Sequence, residues 1–319
     1  MADKYVTLPP DTNWREQFRV GQVKPSPLDP RDFPALARTE PPVQVPAEYE
    51  LIELPLRYQG GKGACAVFGV AYAMAYGYYK LGDTSGQDLS EEHMYAYVRQ
   101  IHDWLCQDTG SYPRDIVEAS VKQGWLTEAE RPYNDRDLCT PANLFHLADH
   151  KASEFRRARN ITEVEQIIVQ FNVPVTACYS LYDNFFDIKS DGIMPLPGGP
   201  SAGGHLMDIV GWRLIGGKKY YKHANWWSTG FGDRGYVWIP AELCDGTITS
   251  AQGGIWLDDI WTVLVDTTPT PPVPTTLTFN DAQQAAIQAA QNMRRAWWPT
   301  REIGANIVLD AIEARRLQG

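Results

Sequence analysis

Residues Cys65–Lys80 are apolar nearly all round, and a helix with no polar face belongs in the core of a sizeable protein. The stretch that runs into it, Gln59-Gly60-Gly61-Lys62-Gly63-Ala64-Cys65, sets a thiol at the helix start with a side-chain amide upstream. A helix N-terminus carries unpaired N–H groups and a partial positive charge, which favour thiolate over thiol. The glycines let the backbone turn tightly and come close to a bound molecule. Downstream stand Gly203-Gly204-His205 and Asn225-Trp226-Trp227. A cysteine, a histidine and an asparagine in that order can supply a nucleophile, its base and the group that orients the base. Each residue alone has a plainer reading. Cys65 and His205 could be core, Asn225 a turn residue and Gln59 a surface amide, but a core cysteine needs no glycine-rich approach.

A chain of 319 residues holds one large domain or two moderate ones. Its 44% apolar content and 11 tryptophans indicate a well-cored globular protein. A net charge of −10 argues against a nucleic-acid partner, which normally meets a basic face. No run approaches the length of a membrane span, so no membrane partner is expected. The start, Met-Ala-Asp-Lys-Tyr-Val-Thr, lacks a signal-peptide pattern, which gives an expectation of the cytoplasm or another reducing compartment. Secretion by another route and packaging in a viral particle stay open. Cysteines 65, 106, 139, 178 and 244 are odd in number and unpaired in spacing. Free thiols are therefore expected, with no zinc site, no other cofactor and no disulfide scaffold.

Residues 1–42, rich in proline, read as an extended arm over a folded body. The body, 43–266, opens with expected helices at Cys65–Lys80, Ser90–Leu105, Pro113–Gln123 and Thr162–Gln170, with Ser90 as an N-cap. Expected strands follow at Pro174–Ser180, His205–Leu214, Lys219–Asn225, Gly235–Ile239 and Trp256–Leu264, with a hairpin at Gly216-Gly217. Helices first and strands later imply an α+β protein of two lobes with a cleft between them. A Pro/Thr-rich linker over 267–278 precedes a helical hairpin over 279–319, with helices at Asp281–Trp297 and Thr300–Leu317. Its apolar stripes leave three outcomes open: docking on the body, self-association, or attachment to a larger assembly.

Gln59-x-x-x-Gly63-Ala64-Cys65-x-x-Phe68 resembles the active-site segment of papain-like cysteine peptidases, of a bacterial or viral type. Val45-Pro46-Ala47-Glu48-Tyr49 and Leu56-Arg57-Tyr58-Gln59-Gly60 resemble the start of their mature domain. His205 lies 140 positions beyond Cys65 (205 − 65) and Asn225 lies 160 (225 − 65), against roughly 130–150 for the family. The Gly216-Gly217 hairpin could absorb the excess. Gly110-Ser111-Tyr112-Pro113 resembles the segment whose backbone pairs with a bound peptide. The stretch from Asn225 to Tyr236 is similar to the family's asparagine–tryptophan loop.

The resemblance implies a two-lobe fold, one lobe helical and one an antiparallel, barrel-like sheet. It implies a cysteine endopeptidase acting on peptides or proteins. Cys65 would attack, His205 would pair with it as imidazolium and carry protons, and Asn225 would orient His205. Gln59 would join the Cys65 backbone N–H in the oxyanion hole. Trp227 would shield the His205–Asn225 bond. Gly110, Ser111, Tyr112, Pro113, Cys178, Gly204, Leu206 and Trp227 would bind substrate, with Tyr112, Pro113, Cys178 and Leu206 around an apolar pocket. Cys178 is equally well read as strand core. Lys62 stands where the family usually has a disulfide cysteine, so Cys106, near the usual partner's place, is expected as a free thiol. Ala66, Gly204, Trp226 and Ser228 depart from the family's usual residues. Two other readings stay open: a papain-fold scaffold or virion component with little turnover, and a cell-wall peptide or isopeptide hydrolase. The arm is expected to brace the lobes or to cover part of the cleft.

Overall fold

The structure is a computed structural model and describes residues 5–18, 23–27, 29, 32, 42–143, 148–245 and 258–265. The chain separates into two compact units, Met1–Thr267 and Thr268–Gly319. The second, with both helices expected there and nearly all of the linker, lies outside the described residues, as do Trp256 and Leu257.

Among the described residues six α-helices are seen: α1 (Trp14–Gln17), α2 (Cys65–Lys80), α3 (Glu91–Gln100), α4 (Pro113–Lys122), α5 (Ile161–Phe171) and α6 (Ala241–Cys244). Every residue of α2 from Cys65 to Tyr78 is buried, as its unbroken apolar surface requires. In α3 the Ser90 hydroxyl accepts the His93 N–H at 3.0 Å, and Glu91 and Glu92 face the positive helix start. This helix stops at Gln100, short of the expected Leu105. The chain passes through the left-handed region at Asp103 (φ 58°) and Cys106 (φ 65°), which no right-handed helix absorbs. Pro113 opens α4, where its fixed φ suits the first turn.

Seven strands are described: β1 (Tyr49–Glu50), β2 (Glu154–Ala158), β3 (Val175–Tyr182), β4 (Ser201–Ile215), β5 (Lys218–Ala224), β6 (Tyr236–Pro240) and β7 (Asp258–Leu264). They make one antiparallel sheet in the order β2-β7-β3-β4-β5-β6, with β1 also on β4. The β4–β5 hairpin turns through Gly216 (φ 58°) and Gly217 (φ 79°), the two positive angles that a tight hairpin turn needs. Strand β2 falls outside the expected set. Its sequence, Glu-Phe-Arg-Arg-Ala, is that of a polar strand, and it lies at one end of the sheet order. Helices α2–α4 form one lobe of the α+β architecture and the sheet the other.

The lobes meet where α2 lies on β4. A Cβ placed on Gly69 would stand 2.1 Å from Leu206 Cδ2 and 2.8 Å from Asp208 Oδ1, so only glycine admits that approach. The contact sets the start of α2 beside the stretch of β4 that bears His205. Asp208 is buried at this contact with neither carboxylate oxygen hydrogen-bonded, and burial pushes its pKa well above the usual carboxylate range.

One expectation about cysteine is overturned. Cys106 forms a disulfide with Cys139, while Cys65, Cys178 and Cys244 are in no disulfide among the described residues. The turn after α3 brings Cys106 N–H onto Leu138 O at 2.8 Å, and Arg99 holds the same carbonyl at 2.9 Å. Spacing along the chain carries no trace of that meeting.

Candidate active site

Cys65 is the first residue of α2, and Ala64 before it makes no side-chain cap. Polar groups fix the loop that delivers it. Gly63 N–H donates to both carboxylate oxygens of Asp108, at 3.0 and 3.2 Å, and the Tyr95 hydroxyl donates to Asp108 Oδ1 at 2.6 Å. Lys62 turns inward and pairs with Glu92 at 2.5 Å, both side chains being buried. Burial lowers the Lys62 pKa, with Glu92 acting the other way. Gln59 is clamped by backbone: its N–H donates to Trp226 O at 3.0 Å, and its carbonyl accepts from the Tyr133 hydroxyl at 2.6 Å. Its side-chain Nε2 donates one proton to Lys62 O at 3.0 Å, and Oε1 has no hydrogen-bond partner.

His205 sits on β4 opposite Tyr179 of β3. Its Nε2 lies 2.8 Å from Asn225 Oδ1, and Nδ1 has no hydrogen-bond partner. The Asn225 orientation is decided by a second contact. The Trp226 backbone N–H donates to the same Oδ1 at 2.9 Å, so that atom must be the oxygen. Nε2 therefore carries the ring proton, and a neutral imidazole presents its lone pair at Nδ1. Trp227 lies over this pair, its ring 5.0 Å from that of His205. Phe186 stacks on Trp227 at 5.4 Å, while Phe185 and Phe231 meet it edge-on at 5.3 and 5.0 Å.

The arm closes the assembly. Phe18 stacks on Trp227 at 5.1 Å, and Trp14 meets Phe231 edge-on at 5.2 Å. Further on, Val23 forms a parallel bridge to Ser111, Lys24 N–H donates to Ser111 O at 3.2 Å, and Val23 O leaves no room for a Cβ on Gly204. Described arm residues thus touch Ser111, Gly204 and Trp227, three of the residues expected to bind substrate. Gly110 and Pro113 flank Ser111 and Tyr112 at the start of α4. Cys178 pairs with Leu206 across β3 and β4, both buried, and Leu206 packs on Gly69 of α2.

Burial decides the protonation of the site. It pushes the Cys65 thiol up to about 12, against backbone N–H contacts from Leu206, Ala66 and Cys65 itself. It pushes His205 down to about 4, against the Asn225 hydrogen bond. In this covered form the sulfur and the ring are both neutral. The thiolate expected from the helix start is outweighed by loss of water. The contact with Leu206, the residue after His205, also places the sulfur against the strand that carries the ring.

Sequence reading missed Asp108, Glu92, Phe185, Phe186 and Phe18. The adjacent Phe185-Phe186 pair was visible as an apolar spot. Nothing in the chain tied Phe18 to Trp227.

Residues 49–251 match the family described as papain family cysteine protease. The chain is 24% identical over 192 residues to a cysteine protease of Blomia tropicalis, covering 58% of this chain and 56% of that protein. It is 36% identical over 81 residues to cathepsin B-like cysteine proteinase 3 of Caenorhabditis elegans, covering 25% of this chain and 21% of that protein. The chain thus spans about half, or less, of the length of these curated relatives. Among solved structures it resembles xylellain, a cysteine protease from Xylella fastidiosa, with a TM-score of 0.64, 22% identity, and coverage of 78% of this chain and 97% of that one. At that identity the likeness speaks for the fold.

Proposed function

This chain belongs to the papain family of cysteine proteases, and from that membership and the site geometry we propose that it is a cysteine endopeptidase whose working groups are Cys65, His205, Asn225 and Gln59. The observation that carries the reading is the double use of Asn225 Oδ1, which fixes the ring proton on Nε2 and leaves Nδ1 as the base.

The Cys65 proton passes to His205 Nδ1, and the sulfur attacks the carbonyl carbon of a bound peptide. The carbonyl electron pair moves onto oxygen, where the Cys65 backbone N–H and the second Nε2 proton of Gln59 stabilise it. Collapse expels the amine, which takes the proton from Nδ1 and leaves an acyl-enzyme. Water then gives a proton to His205 and attacks the acyl carbon, and the sulfur leaves. Asn225 holds the ring through both halves, and Trp227 keeps water from their bond.

Turnover requires that the arm move, since Val23 and Phe18 rest on the residues that a peptide would use. A papain-type epoxide inhibitor tests the assignment. The 319-residue chain labels slowly, the chain lacking residues 1–42 labels stoichiometrically and cleaves casein, and Cys65→Ala abolishes both. Labelling that persists in Cys65→Ala would remove Cys65 from its role. Peptidoglycan peptides cleaved in place of casein would redirect the reading to a cell-wall hydrolase.

A further inference from the structure

Lys24 follows Val23 in the arm, and while its backbone N–H pairs with Ser111 O, its side chain lies against a cluster of part-exposed rings. The ammonium lies 3.8 Å from the Trp104 ring centroid and 6.0 Å from that of Tyr112. His102 stacks behind Trp104 at 4.5 Å and meets Tyr112 edge-on at 5.4 Å. Asp115 Oδ2 lies 2.6 Å from His102 Nε2, which anchors the stack to α4. Among the described residues the ammonium forms no salt bridge, so the rings are what hold it. An indole face attracts a cation through its quadrupole and repels a carboxylate.

We propose that this ring cluster is a subsite that takes the lysine or arginine side chain of a bound peptide, and that Lys24 occupies it in the covered form. The inference rests on reading the cleft as a peptide-binding one. The backbone edge at Ser111 is common to arm and peptide, so a side chain leaving a bound strand beside Ser111 reaches the same rings. Arginine suits the ring cluster as well, because a planar guanidinium stacks on Trp104. The net charge of −10 favours the approach of basic peptides in the same sense.

The test uses the Phe18→Ala/Lys24→Ala protein, which loosens the arm and frees the ring faces. Fluorescent peptides carrying Lys, Arg, norleucine or Glu at each of the four positions before the scissile bond are bound to its Cys65→Ala form. They are also offered for cleavage to the form with Cys65 intact. At one position Lys and Arg should bind about fivefold tighter than norleucine, with Glu weakest. Trp104→Leu should erase the preference and Trp104→Phe should reduce it, which separates recognition from any folding defect in one variant. Absent or equal binding of the four residues at every position overturns the subsite, as does a preference intact in Trp104→Leu. Preference in binding without cleavage sinks the peptidase reading and leaves the subsite standing. Cleavage without preference does the reverse.

Discussion

Around Cys65 the backbone is fixed by buried and half-buried charged side chains, whereas around His205 the same task falls to stacked rings. On the cysteine side, Asp108 grips Gly63 N–H and Lys62 pairs with Glu92 under the glycine loop. On the histidine side, Phe18, Phe185, Phe186 and Phe231 surround Trp227, which lies over the His205–Asn225 bond. Ionic supports are directional, and each charge depends on its partner for compensation. Aromatic supports depend on area and shape, and no single partner replaces what is removed. The two halves should therefore fail in different ways.

Trp227→Ala should give the largest loss. Truncating a fully buried tryptophan costs about 3–5 kcal/mol, and it opens the His205–Asn225 bond to water. Denaturant unfolding and kcat on a fluorogenic peptide should fall together, and no single second substitution should restore both. If stability drops while kcat holds, Trp227 is packing alone.

Glu92→Gln comes next. It strands the Lys62 ammonium in the interior, at about 3 kcal/mol by the usual cost of unpairing a buried charge. Here a companion change should rescue. Lys62→Met/Glu92→Leu removes both charges together and should return most of the stability. A double variant as unstable as the single one would mean that the pair contributes more than mutual neutralisation, and the contrast between the halves would then be wrong.

The same contrast explains what the chain disclosed in advance. Cys65, Gln59, His205 and Asn225 could be picked out because each sits in a local motif next to a helix start or a strand. Helix α2 was legible to the residue, since its apolar run has clear ends. The end of α3 was not, because left-handed turns at Asp103 and Cys106 leave no periodic mark. The Cys106–Cys139 link and the Phe18–Trp227 stack join residues far apart in sequence, and neither member announces the other. The neutral state of the thiol was hidden for the same reason: it is set by what covers Cys65, whereas the motif shows only what precedes it.

Asp208 sits where the halves meet, and it sharpens the comparison with a carboxyl that has no hydrogen-bond partner. Burial holds its folded-state pKa well above the ordinary aspartate value of 3.8. The folded chain thus keeps a proton that the unfolded chain has released, and stability falls as pH rises through that window. The slope contributed by one such group reaches at most about 1.4 kcal/mol per pH unit. Asp208→Asn should flatten the decline in melting temperature between pH 5 and pH 8. Parallel curves for the variant and the parent would show that the carboxyl ionises without cost, which a buried site offering it no hydrogen-bond donor would not allow.

The smallest effect expected is a shift in reactivity, and it tests whether the aromatic half governs the cysteine half through the arm. Phe18 holds the arm on Trp227, and the thiol is raised to about 12 by burial. Phe18→Ala should loosen the arm and readmit water at the sulfur, while the packing between α2 and the sheet stays in place. Hydration favours the charged forms of both groups, so the thiol pKa falls and the His205 pKa rises toward its ordinary value. The rate of Cys65 alkylation by iodoacetamide, read peptide by peptide so that buried Cys178 and Cys244 serve as internal controls, should then reach its midpoint at a lower pH than in the parent. A faster rate with an unmoved midpoint would show that the arm only blocks access. In that case the burial that suppresses the thiolate comes from the two lobes themselves, and the motif at Gln59–Cys65 would be self-sufficient in its protonation as well as in its geometry.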